Sequence, residues 1–125
     1  MKIKSLSGIL AIALSLASPL AVAHGPVKPL HGGVAIKVDE THYEQVANGD
    51  AVTIYIYDHG KPIATQGASG KLTVLNGTVK SEIALTPAGD NRLQAQGAKF
   101  SSGTKSVATI TLKGGKPSTV RFAIK

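Results

Sequence analysis

Asn48-Gly49-Asp50, followed by Ala51-Val52-Thr53-Ile54-Tyr55-Ile56-Tyr57, decides the fold class. Val52, Ile54 and Ile56 alternate with Thr53, Tyr55 and Tyr57. Period two over β-branched and aromatic residues marks a strand with one face in a core. Asn-Gly supplies the positive φ angles of a type I′ turn, so residues 42–47 are expected to form the other arm of a hairpin. The strand over 51–57 is expected to be central.

The same pattern repeats in both directions. Upstream, Val34, Ile36 and Val38 alternate with Ala35 and Lys37 before an Asp39-Glu40-Thr41 turn. Downstream, the turn Asp58-His59-Gly60-Lys61-Pro62 leads to short runs at 63–65 and 71–75, and Asn76-Gly77 turns into 79–85. In that last run Val79, Ile83 and Leu85 are expected to share one face, with Lys80, Glu82 and Thr86 on the other. A loop at 87–91, strands at 92–96 and 107–112, a turn at 113–117 and a strand at 119–124 close the chain. Seven or eight strands with hairpin-length connections and no helical periodicity predict an all-β fold, an antiparallel β-sandwich of immunoglobulin-like architecture. The chain has no Cys and no Trp, so no disulfide supports the core and the Cys and Trp landmarks of an antibody domain are missing. A single sandwich domain over 34–125, preceded by a mobile arm over 24–33, is the expected organisation.

The first 23 residues read as a secretory signal peptide. Lys2 and Lys4 precede an apolar run over 9–17 and the small-residue site Ala21-Val22-Ala23. Ser15, Ser18 and Pro19 break the run well short of the roughly 20 apolar residues a spanning helix needs. Cleavage after Ala23 is expected to release a periplasmic protein with no stable membrane insertion, and to make His24 its first residue. The formal charge of +7 becomes +5 over the 102 residues that remain. These cations are scattered singly rather than clustered among aromatic residues, which argues against nucleic acid as a partner.

Cleavage gives His24 a second donor, since its free α-amine and its imidazole can close a chelate ring on one metal ion. The amine titrates near pH 8 and the imidazole near 6.5, as a rule, so both serve as neutral donors at modest proton cost. Pro26 has no amide proton, which cuts short any site built from successive backbone amides, so the remaining donors must come from elsewhere. The mature chain offers His31, His42 and His59. Each also has a purely structural explanation: His31 starting a turn with Gly32-Gly33, His42 lying at the surface of a strand start, His59 occupying a left-handed turn position. Taken together, His24, His31 and His59 are the expected ligands, His42 a fourth, and Asp58 a further ligand or supporting carboxylate. Amine and imidazole suit Cu(II), first by the Irving–Williams order, with Zn(II) next.

His31-Gly32-Gly33, Tyr43-Glu44-x-Val46, Tyr55-Ile56-Tyr57-Asp58-His59-Gly60-Lys61-Pro62, Gly67-Ala68-Ser69-Gly70-Lys71 and Pro87-Ala88-Gly89-Asp90-Asn91-Arg92-Leu93 span nearly the whole mature chain. Together they resemble small periplasmic proteins associated with heavy-metal efflux, and are similar to a domain of the periplasmic adaptor subunits of resistance-nodulation-division exporters. The resemblance implies metal handling without catalysis, draws attention to His31 and His59, and makes a metal-efflux adaptor or pump component the implied protein partner. The chain lacks the coiled-coil hairpin and lipoyl-like parts of a full adaptor. No nucleophile-elbow or phosphate-loop motif points to an enzyme, and a copper histidine brace lacks the substrate platform it would need. The competing class is a structural or protein-interaction β-sandwich with incidental histidines, in which Tyr43, Tyr55 and Tyr57 simply pack.

Overall fold

The computed structural model describes residues 24–124, so the expected signal peptide lies outside the described residues. Ten strands form: β1 (His24–Val27), β2 (Val34–Val38), β3 (Thr41–Asn48), β4 (Ala51–Asp58), β5 (Lys61–Pro62), β6 (Ser69–Asn76), β7 (Val79–Pro87), β8 (Arg92–Gln96), β9 (Lys105–Thr111) and β10 (Ser118–Ala123). Among the described residues there is no helix. All pairings are antiparallel, in the order β1-β2-β3-β4-β8-β7-β6-β9-β10, with β5 folded back onto β4.

The path divides into two halves. β1-β2-β3-β4-β8 and β7-β6-β9-β10 are joined only where Thr86 and Pro87 of β7 pair with Gln94 and Leu93 of β8. The inner faces of both halves share one core: Val52, Ile54, Ile56 and Leu93 from the first meet Leu72, Val74, Ile110 and Val120 from the second. The sheet comes nearly full circle, because β10 packs against β2 at the far end of the path. Closing a sheet on itself is how an all-β chain buries its apolar faces and limits exposed edges.

Local sequence explains most of the elements. Val52, Ile54 and Ile56 are each 0% exposed, as the alternation of β4 demands. The turn chemistry differs from the sequence expectation in an instructive way. Asn48 pairs with Ala51, so Gly49-Asp50 are the central residues of that turn, and only Gly49 has a positive φ, +66°. That is the type II′ signature, with glycine in the first central position. The hairpin in which both central residues have positive φ, the type I′ signature, is His59 (+51°) and Gly60 (+81°), between β4 and β5.

One other expectation is revised. The strands number ten rather than seven or eight: Lys61–Pro62 pairs as a short β5, and His24–Val27, expected within an arm, is hydrogen-bonded to β2 as β1. Val79, Ile83 and Leu85 do share one face, opposite Asn76, Leu72 and Gly70 of β6, but burial along it is uneven: Leu85 is 2% exposed and Val79 63%.

Candidate functional site

The outer face of β2, β3 and β4 carries an assembly built around one carboxylate. Glu44 lies on the face of β3 opposite to the core residue Tyr43, yet it is only 3% exposed. The loop between β1 and β2 covers it. Glu44 Oε1 accepts hydrogen bonds from the backbone N–H of Leu30 at 2.9 Å and His31 at 3.0 Å, while Oε2 accepts from His31 at 2.8 Å and Gly33 at 2.9 Å. Successive backbone amides converging on an anion form a concavity that holds negative charge well, and charge-assisted bonds of this kind are stronger than neutral ones. No side-chain cation pairs with Glu44 among the described residues. The backbone amides alone satisfy it.

Gly33 makes the clamp possible. A Cβ at this position would come within 2.2 Å of the Gln45 carbonyl oxygen and 2.9 Å of the Val46 side chain, so only glycine lets the loop lie this close to β3. The motif His31-Gly32-Gly33 is thus a structural fitting as much as a turn.

The clamp fixes the ring of His31. Its centroid stacks 3.7 Å from that of Tyr55, at an interplanar angle of 25°, and Nε2 lies 3.1 Å from the Tyr57 hydroxyl. Which atom donates in that hydrogen bond depends on the imidazole tautomer. The histidine is exposed while its backbone is locked from beneath. Tyr55 and Tyr57 are therefore neither simple core packing nor free: they form the platform on which the imidazole rests.

His42 belongs to the same face. Strand register sets Lys37, His42 and Tyr57 directly opposite one another across β2, β3 and β4, and directly opposed residues share a face. His24 enters by its backbone, which pairs with Val38, in the row next to the one that contains Lys37 and His42. Two strand spacings separate β1 from β3, about 10 Å. His59 is placed differently. It sits in the β4–β5 turn, exposed, with Nδ1 3.0 Å from Asp58 Oδ1, and its backbone N–H donates to the Glu40 carbonyl. The left-handed turn position considered for it from sequence is the one it adopts.

Among the described residues, no group of three or more His, Cys, Asp or Glu side chains is arranged to hold a metal ion. His31, His42 and His59 thus do not make a complete site with one another, and what they can contribute is two imidazoles and a phenol on one face, at His31, His42 and Tyr57. In the sequence reading Glu44 enters only within Tyr43-Glu44-x-Val46, with no role of its own; the signal available for its clamp was a lone acid in a strand, preceded by a Gly-Gly loop.

Beneath this face, burial pushes the Tyr43 phenol above its usual value of 10.0, and the carboxylates of Asp39 and Asp58 add to the rise. Compared with models of protein families, with curated proteins and with solved structures, the chain finds no match.

Proposed function

We propose that this chain is a periplasmic metal-binding accessory protein that buffers or passes Cu(II) or Zn(II), working beside a metal-efflux adaptor or pump component. The single observation that supports this most is the way His31 is held: a buried carboxylate and an obligatory glycine fix the backbone so that an exposed imidazole stands on Tyr55 and Tyr57. An imidazole with no role in the core needs no such anchoring. Exposed histidines that bind nothing are ordinarily free to rotate, and the ordering of one costs entropy.

In this reading the donors are His31 and His42 from the sheet face, completed by the amine and imidazole of His24 once the leader is removed. A set of amine and imidazole nitrogens favours Cu(II), with Zn(II) next. His59, paired with Asp58 in its own turn, is left outside the set. We read the two halves around one core as an immunoglobulin-like sandwich, which would serve as the rigid platform.

The second reading, a protein-interaction module, is favoured by the lack of a three-donor group among the described residues. There the His31–Tyr55–Tyr57 patch would be the contact surface, since aromatic residues are enriched at interfaces. Calorimetric titration of the chain beginning at His24, with Cu(II) and with Zn(II), separates the two. Metal handling requires one-to-one binding tighter than about micromolar, about −8 kcal/mol, and a loss of at least about tenfold in the His31→Ala variant. Heat changes no larger than dilution for both ions would leave the interaction module.

A further inference from the structure

A second surface lies away from the histidines. A groove of about 870 Å³ opens between the β1–β2 edge of the first half and β9–β10 of the second. Its walls are apolar: Val27, Val34 and Ile36 on one side, Leu75, Val107 and Phe122 on the other. The volume lies within the range of pockets that hold small organic molecules, and apolar walls with a few polar groups are the usual composition of such pockets.

The charged groups in this groove are of one sign. Lys105 of β9 and Arg121 of β10 both line it, and among the described residues no Asp or Glu does. Arg121 pairs in register with Val107 and Lys105 with Ala123, so the two cations are diagonal neighbours on one face of adjacent strands. Neither has a carboxylate partner within ion-pair distance among the described residues, whereas Lys37, Lys71 and Lys80 all have one. Two unneutralised cations at the border of an apolar groove match a ligand with an apolar chain and an anionic end.

The floor holds one further feature. Ser106 lines the groove, and its hydroxyl donates at 2.7 Å to Oε1 of Gln45, a core residue 1% exposed whose Nε2 has no partner. A buried amide left half satisfied is uncommon.

We propose that the groove binds a long-chain carboxylate, with the hydrocarbon between β2 and β10 and the carboxylate against Lys105 and Arg121. Charge complementarity selects this occupant over a neutral or cationic amphiphile of the same length. The proposal is separate from the β2–β4 face, since none of His31, His42 and His59 lines the groove.

The test uses the chain beginning at His24, without metal, and three probes below their micelle concentrations: dodecanoate, dodecanol and dodecyltrimethylammonium. Dodecanoate should bind one-to-one, with amide shifts in the NMR spectrum centred on β2, β9 and β10. The double variant Lys105→Glu with Arg121→Glu, both exposed positions, should weaken dodecanoate by about tenfold or more and strengthen dodecyltrimethylammonium, while dodecanol stays within about twofold. Equal affinity of the unaltered protein for all three probes would overturn the proposal, as would shifts centred away from the groove. Binding to anionic phospholipid vesicles with none to free dodecanoate would also overturn it, in favour of a membrane surface.

Discussion

At the scale of single residues, Glu44 carries more than its position in a strand suggests. Glu44→Gln keeps the shape but replaces one acceptor oxygen with a donor that faces backbone N–H groups. The variant should lose about 1–3 kcal/mol of unfolding free energy, read by urea denaturation, and the His31 ring should leave Tyr55, read by the loss of ring-current shifts on its imidazole protons. Tyr43 makes a separate prediction. Its folded phenol titrates above the unfolded value of 10.0, so the stability it contributes is fully present below that pH and is lost as pH rises through the folded value. Tyr43→Phe should flatten the decline in melting temperature above about pH 10, whatever its effect at neutral pH. Neither the clamp on Glu44 nor the shift at Tyr43 was legible in the sequence, although the packing of Tyr43 was one of the readings it offered. Glu44 matters through a loop that arrives from another strand, and the shift at Tyr43 comes from burial, which a lone sequence position does not display. His59 was better read: its turn followed from Asp58-His59-Gly60, and the left-handed backbone is there.

At the scale of elements, alternation was the most transferable signal. It located β4 and the sides of its residues because both the periodicity and the burial are consequences of one pleat. Turn signals located the hairpins but not their geometry, since a shift of one residue in the pairing exchanges Asn48-Gly49 for Gly49-Asp50 at the centre. β1 was the least legible element: His24-Gly25-Pro26-Val27 has little strand character, and the hydrogen bonds to Ala35, Ile36, Lys37 and Val38 come from the partner strand. Gly33 is where loop and strand meet. Gly33→Ala would set a methyl group against the Gln45 carbonyl, and to relieve that contact the 28–33 loop must lift. The expected result is a loss of about 1–3 kcal/mol in unfolding free energy together with faster hydrogen exchange at the Leu30, His31 and Gly33 amides. A wild-type exchange pattern in the variant would show that the close approach is not what holds the loop.

At the scale of the whole molecule, two functions are proposed for two surfaces of one shell: a nitrogen-donor face on β2–β4 and an apolar groove where the ends of the sheet meet. The first depends on processing. A residue placed before His24 moves the α-amine away from the imidazole, so the extended chain should bind Cu(II) at least about tenfold more weakly than the chain that begins at His24, as measured by calorimetric competition. The sequence made the histidines visible as a set but not their distribution, because which of them share a face is fixed by register over several strands. His31 and His42 flank Tyr57 from a loop and a neighbouring strand, whereas His59 turns toward Asp58. The most direct measurement is therefore Cu(II)-induced broadening of the histidine ring resonances in the NMR spectrum of the chain beginning at His24. At substoichiometric copper the signals of His24, His31 and His42 should disappear first, with those of His59 persisting longest. Loss of the His59 signals ahead of His31 and His42, or uniform loss of all four, would contradict a metal site on the β2–β4 face.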